Sequence, residues 1–499
     1  MGALLIITPS DAGGASRSTR FGIAHVGYPG GPRDPERHAR AASLGAGWNR
    51  WALYWTDVER ADGQFDWSGA DAIFALDEQY GLGSMPVLVG TPAFHTAAVA
   101  ASASDRLVAP HLGRSRTPRQ AAAAIDPPPS MSLAVFADGT DASAPGKPIN
   151  AANRWARFVA EAARRYAGRP IAWEIWNEPD FSQFWSGSAA QYARLLTVAH
   201  QAIRSQDSTT PIAIGGLMNW EKMNSTGIEH AWLRWLLAEL VIDPRAAANN
   251  YYFDVIPFHW YSRATDAYDR TVSARQVLAQ LGVPPKRIWI NEANAPACGE
   301  PPAHVSCADA GYRGSATVEE QAAFALQYLA LALAANVERA ALFQFQDDGH
   351  AEAYGLYRND RTSRPTVRAL QIAIDALGDG RLATRDRRGD HERITVLSPR
   401  GTATVLWATG GSAVSIGVEA IAPTARLIRQ DGTEVTVIPL GGQYRVVLPG
   451  ATNLRAFSGL PGDFMIGGSV SILHQSRTTQ FVDPPAAGTK RLLLPSLGR

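Results

Sequence analysis

Between residues 21 and 378, short apolar runs alternate with stretches whose apolar residues recur every three or four positions. The first pattern suits strands covered on both faces, and the second suits helices that bury one stripe. Strands are expected at 21–26, 47–52, 85–89, 171–176, 212–215, 254–259, 287–291 and 340–344. Between them, residues 153–166 put Trp155, Phe158, Val159, Ala162 and Tyr166 on one helical face. Ser188 with Gln191, and Thr317 with Glu320, have the spacing of capping boxes and mark two helix starts. Eight strands alternating with helices imply an α/β fold, a (β/α)8 TIM barrel. A doubly wound sheet is the competitor. Its first strand would run into a Gly-rich phosphate loop, and Phe21-Gly22-Ile23-Ala24-His25-Val26-Gly27 is not one.

The rhythm is broken twice. Residues 95 to about 150 are rich in Ala, Ser and Pro and follow the third strand. A long insertion there is either a lid over the working face or a disordered segment. After residue 380 helical periodicity stops, and β runs follow at 393–397, 402–408, 413–418, 425–429, 433–438 and 444–448. Asp431-Gly432 and Gly441-Gly442 have the chemistry of tight hairpin turns. The expected organisation is a leader or signal remnant at 1–20, the barrel at 21–378, an all-β sandwich at 379–475 and a loosely held tail at 476–499.

Composition narrows the classes. A net charge of +1 without long charge runs gives no electrostatic footprint for nucleic acid. No apolar run reaches the length of a membrane span, and no metal-ligand spacing appears. The 14 tryptophans either fill core or offer stacking faces to sugar rings. The two cysteines, Cys298 and Cys307, flank a Pro-rich loop; they pair as one small-loop disulfide or remain two free thiols. A disulfide would favour a secreted, extracytoplasmic protein.

Candidate chemistry lies at two strand ends. The fourth strand runs into Trp176-Asn177-Glu178-Pro179-Asp180, and the seventh ends in Asn291-Glu292. Ends of barrel strands on the C-terminal side form the working face. Two carboxyls in one pocket divide naturally into a proton donor and a charged partner, because ionising the first raises the pKa of the second. That pair suffices to cleave an acetal, with no metal or organic cofactor. A gap of about 5 Å would permit a covalent intermediate and retention, and about 6.5–9.5 Å would imply inversion. Glu174, deeper in the fourth strand, is expected to be a buried structural carboxylate paired with a base.

The segment Trp173-Glu174-Ile175-Trp176-Asn177-Glu178-Pro179, with Phe184-Trp185 and Tyr192, resembles the acid/base strand of glycoside hydrolase clan A. The resemblance is strongest to family 39, which includes β-xylosidases, α-L-iduronidases and some bacterial exopolysaccharide-cleaving endoglycosidases. Trp48-Asn49-Arg50 through Trp55, Glu59, Gly63, Phe65-Asp66-Trp67 and Asp71 resembles the clan's second strand and following helix. Pro257-Phe258-His259-Trp260-Tyr261 resembles its sixth strand, and Tyr354-Gly355-Leu356 with Arg364-Pro365 its exit from the eighth.

The resemblance implies roles. Glu178 would be the general acid/base and Glu292 the nucleophile of a retaining glycosidase acting on oligo- or polysaccharides. Asn177 would bind the sugar 2-hydroxyl. Arg50 and Tyr261 would hold Glu292 charged and oriented. His259, His25 and His95 would line the subsite, with Trp260, Trp185 and Gln344 as sugar contacts. Gln344 stands in a strand where many clan members carry Trp, and the loop after Glu292 is long, so specificity does not transfer from any one member. Two alternatives share these residues: a carbohydrate-binding barrel without turnover, and a transglycosylase in which a sugar hydroxyl replaces water.

Overall fold

The computed structural model of the protein describes residues 18–96, 125–218, 228–301, 315–349, 352–453 and 464–476. Eight parallel strands close a barrel: β1 (Phe21–Ala24), β2 (Trp48–Tyr54), β3 (Gly83–Val89), β4 (Trp173–Ile175), β5 (Ile212–Ile214), β6 (Val255–Trp260), β7 (Arg287–Ala293) and β8 (Arg339–Leu342). Each pairs with its neighbours in chain order, and β8 pairs with β1. Helices cover the outside: α1 (Pro35–Ser43), α2 (Ser68–Gln79), α3 (Arg154–Arg165), α4 (Ala189–Gln206), α5 (Ala231–Val241), α6 (Asp266–Gln280), α7 (Val318–Ala334) and α8 (Pro365–Leu377). This is the expected (β/α)8 architecture.

Local chemistry sets the helix starts. Asn153 caps α3 by accepting from the Ala156 N–H. Both expected capping boxes form, Ser188 with Gln191 on α4 and Thr317 with Glu320 on α7. Each satisfies two N–H groups that the first turn leaves without helical partners.

The barrel interior is layered. Trp48, Met85, Ala172, Ala213, Val255, Trp289 and Ala341 form a floor distinct from the outer core. The Trp48 and Trp289 rings lie 6.0 Å apart. A Cβ on Gly22 would come within 2.4 Å of the Trp48 ring, so glycine there makes room for the indole. Two residues further along their strands, the inward positions change from Trp48 and Ala172 to Arg50 and Glu174. An apolar floor therefore supports an ionic layer.

The C-terminal strands are β9 (Leu382–Arg387), β10 (His391–Ser398), β11 (Gly401–Ala408), β12 (Val414–Glu419), β13 (Ala425–Arg429), β14 (Glu434–Val437), β15 (Gln443–Leu448) and β16 (Ser471–Ser476). Six form an antiparallel sheet in the order β9–β10–β11–β16–β13–β14, and β12 and β15 form a ribbon of their own. Leu406, Leu427 and Leu473 from the sheet pack with Ile416, Tyr444 and Leu448 from the ribbon. Ile394, Val405 and Trp407 instead join the core that runs through the barrel's helices. Gln327 on α7 ties the two modules, donating to Gly468 O (3.0 Å) and accepting from Gly467 N–H (3.0 Å).

Three sequence expectations need revision. β9 reads Leu-Ala-Thr-Arg-Asp-Arg and lacks the apolar alternation that would have marked it. Residues 471–476, where no strand was expected, form β16, and Gln475 is buried within it, its side chain bonding the backbone of Ile421 and Glu419. The described part of the Ala/Ser/Pro-rich insertion, 125–150, packs along α4 on the barrel's flank. There Arg194 binds Asp141, Met131 O and Leu133 O, and Gly146 N–H reaches Ser205 O. From residue 129 onward that part braces the flank, while Ile125 and Asp126 bond Ser186 and Thr91, past the ends of β4 and β3. Residues 97–124, the leader to residue 17, Cys307 and the tail from 477 lie outside the described residues, and with them the lid and disulfide expectations for those positions. No described helix is long and apolar enough to cross a membrane.

His200 on α4 gives a pH test of this packing. Its ring is buried against Tyr252, with centroids 5.3 Å apart. Burial, with the nearby Arg204 charge second, pushes the imidazole from 6.5 down to about 3. The unfolded chain therefore binds the extra proton between those two values, and stability falls on acidification through that window. The effect amounts to about 3 kcal/mol by roughly pH 4. His200→Phe, which keeps a ring in place, is expected to flatten the decline of melting temperature between pH 6.5 and about pH 4 relative to the parent. An identical slope in both proteins would contradict the buried neutral imidazole.

Candidate active site

The site stands on the ionic layer at the strand ends. β4 carries Glu174 inward and then turns sharply. Trp176 and Glu178, just past the end of β4, adopt positive φ values of 70° and 43°, and Pro179 follows. Three backbone and indole bonds hold this unusual path: Trp176 N–H to Leu88 O, Glu178 N–H to Gly216 O, and Trp176 Nε1 to Phe184 O. The turn delivers the Glu178 carboxylate inward, almost wholly buried.

Across the barrel, β7 delivers Glu292, and its pairing with β6 shifts register between Phe258 and His259. This irregularity sets His259 opposite Glu292. The carboxylates of Glu178 and Glu292 and the His259 imidazole offer ligand atoms that all lie within 4.8 Å of one another. His259 Nδ1 is 2.6 Å from Glu178 Oε1 and 3.4 Å from Glu292 Oε2. Such a trio has donors of the right kind for a divalent cation. The hydrogen bonds among its members and to Arg50 and Tyr261 account for its closeness without one.

The two carboxylates have different neighbours. Glu292 receives Arg50 Nη1 at 2.5 Å on one oxygen and the Tyr261 hydroxyl on the other. Glu178 receives the imidazole. Arg50 also binds Glu174 through Nε (2.7 Å) and Nη2 (2.8 Å), and Nη2 reaches Asn177 Oδ1 at 2.8 Å. Burial works to lower the Arg50 pKa, but the charges of Glu174 and Glu292 and the Glu174 hydrogen bond outweigh it and hold it raised. The guanidinium is thus a fixed cation. Glu174 is the buried, base-paired carboxylate that its strand position suggested.

Glu178, Glu292, Asn177, Arg50, His259 and Tyr261 come together. Trp260, Trp185 and His95 are held elsewhere, and His25 and Gln344 lie beside the ring of Phe343. Trp260 follows His259 on β6 and so faces the opposite side of the sheet, buried beside Phe258 (4.8 Å) and Arg270 (5.1 Å). Trp185 is buried edge-on to Trp176 (5.1 Å) and donates to Ser188 O. Both are core residues, not sugar platforms. His95 is held by Glu59 (3.1 Å) beside Trp55, in a cluster that Arg157 completes. His25 and Gln344 pair with each other at 3.2 Å beside Phe343. Phe343 and Tyr354 were not anticipated; they pack edge-on against Tyr261 (5.8 and 5.3 Å). Tyr354 lies in a motif that the sequence already marked, at the exit of β8, whereas Phe343 carries no signal beyond its place in a strand.

No protein-family model matches this sequence, and no curated protein matches it. Solved structures do. A family 39 glycoside hydrolase from the gut symbiont Bacteroides cellulosilyticus WH2 shares 16% identity at a TM-score of 0.62, over 92% of this chain and 81% of that one. A GH30 endoxylanase from Clostridium papyrosolvens C71 shares 12% at 0.53, over 93% and 98%. A glucosidase from Croceicoccus marinus shares 12% at 0.51, over 93% and 98%. At these identities the likeness establishes the fold.

Gly216 is the tightest contact in the site. A Cβ there would lie 2.1 Å from His259 Nε2 and 2.6 Å from its Cδ2. Gly216→Ala is therefore expected to push the imidazole off Glu178 while the barrel stays folded. The imidazole 15N signal of His259 should move and circular dichroism should not. An unmoved signal would contradict the close packing of the ring on Gly216.

Proposed function

We propose that this chain is a retaining glycoside hydrolase of clan A type that cleaves O-glycosidic bonds in oligo- or polysaccharides. The observation that carries this is the approach of Glu178 and Glu292, with carboxylate oxygens within 4.8 Å, from two strand ends at the barrel mouth. Such an approach suits the covalent, two-step route, whose carboxyls lie about 5–5.5 Å apart. The fold shared with the family 39, GH30 and glucosidase structures supports the same chemistry.

The roles follow from the neighbours. Glu292 sits against a permanent cation and a phenol donor, which favour a charged, oriented nucleophile. Its free lone pair attacks the anomeric carbon as the bond to the leaving oxygen breaks. Glu178 gives that oxygen its proton and becomes a carboxylate. In the second step Glu178 takes a proton from water, whose oxygen displaces Glu292 from the anomeric carbon. Two inversions give net retention. His259, bonded to Glu178, fixes which oxygen of that carboxyl faces the leaving group. Asn177, held by Arg50, has its amide N–H2 available for the sugar 2-hydroxyl.

A panel of aryl glycosides and plant and bacterial polysaccharides is expected to yield turnover, with the first-formed product anomer matching the substrate by proton NMR. Glu292→Ala should abolish turnover, and azide should restore it as a glycosyl azide of inverted configuration; a folded variant without rescue would remove Glu292 from the nucleophile role. Glu178→Ala should lose about 10²–10⁴-fold on substrates with poor leaving groups and far less on activated aryl glycosides. Equal losses on both would contradict the acid role.

A further inference from the structure

We propose that Glu174 is a positioning residue that sets how Glu292 and Glu178 face each other; this rests on the glycosidase function proposed above. Its carboxylate is fully buried and accepts four hydrogen bonds, two on each oxygen. Oε1 takes Arg50 Nη2 and the Gly216 N–H, each at 2.8 Å. Oε2 takes Arg50 Nε at 2.7 Å and Asn291 Nδ2 at 2.8 Å.

Every one of those donors leads to a reacting group. Arg50 continues through Nη1 to Glu292 and through Nη2 to Asn177, the residue before Glu178. Asn291 is the residue before Glu292. Gly216 turns its carbonyl to the Glu178 N–H at 3.1 Å. A buried carboxylate needs its remaining lone pairs filled, and the groups that fill them here, Asn291 and Gly216, are the ones that lead to the two reacting glutamates. Glu174 ties β2, β7 and the turn after β5 at the level just beneath the chemistry.

The fork of the guanidinium explains the consequence. Glu174 takes Nε and one Nη2 hydrogen of Arg50 and Asn177 takes the other Nη2 hydrogen, so only Nη1 is left for Glu292. The nucleophile is therefore held end-on by one oxygen, and Tyr261 takes the other. Without the Glu174 charge, Arg50 is free to turn a two-pronged edge toward Glu292, the geometry that guanidinium–carboxylate pairs prefer. That turn would draw the attacking oxygen away from the sugar.

Glu174→Gln tests this in the full-length protein. Whichever way the new amide lies, its NH2 meets donors. Asn291 Oδ1 is buried without a hydrogen-bond partner, so Asn291 can flip to accept from the new amide, at the cost of its own NH2 and of Arg50 Nε. The variant is expected to fold. Its crystal structure should show Arg50 turned onto Glu292, with kcat lowered about 100-fold and KM within about threefold of the parent. Arg50 keeping its single contact overturns the proposal, whatever happens to kcat, and so does an unchanged kcat after Arg50 has turned. Should Glu174→Gln fail to fold, Asn291→Ala cuts one tie and leaves the ion pair; kcat should drop about tenfold at constant KM, and an unchanged kcat overturns the proposal. If the parent turns over no glycoside, the function proposed above falls, and the position of Arg50 in the Glu174→Gln crystal alone decides the role of Glu174.

Discussion

One buried guanidinium, shared between two carboxylates and an amide, organises the centre of this barrel. Arg50 is 2% exposed and carries one positive charge against Glu174 and Glu292. Desolvating an ion is costly unless its hydrogen bonds are complete and well aimed. Here four of the Arg50 contacts end on oxygen within 2.8 Å. The excess negative charge is left on the side of Glu292, next to where a developing cationic sugar would sit. Removing Arg50 would leave two buried carboxylates without the cation they share, so the layer depends on that one side chain.

The surrounding architecture makes that layer possible. Trp48 and Trp289 close the barrel beneath it and exclude water from below. Tyr261, Phe343 and Tyr354 wall one side of it from above. Between these apolar plates, charge–charge contacts act at lower effective dielectric than at the surface. The floor is built of a few large rings set against glycine and alanine, which explains why Gly22 and Ala341 face Trp48 and Trp289 instead of larger residues.

Much of this was legible before any coordinates. The barrel followed from strand and helix periods because buried parallel strands are short and almost wholly apolar. The Asn-Glu-Pro step and the isolated Asn291-Glu292 end marked the carboxylates, since a charged residue directly after a buried strand needs a reason. Partner choice was less legible. The flanks of His259 gave no sign that Trp260 turns to the opposite face of β6, although strict alternation along the strand implies it once His259 is assigned inward. His95 and Trp185 are polar or aromatic residues near the right strands, and sequence proximity does not reveal that Glu59 and Trp176 claim them. β9 was missed because both its faces are polar, and β16 because its partners lie more than forty residues away.

The placement of β16 has a consequence for how the molecule is made. Residues 471–476 occupy the middle of the sheet, between β11 and β13, and their side chains help seal both cores of the C-terminal module. A polypeptide emerging from the ribosome can complete the barrel ladder with β8, but the sheet behind it stays split into two halves until the chain has passed residue 476. Vectorial synthesis therefore separates assembly of the catalytic layer from completion of its support by more than a hundred residues of elongation, on the order of ten seconds.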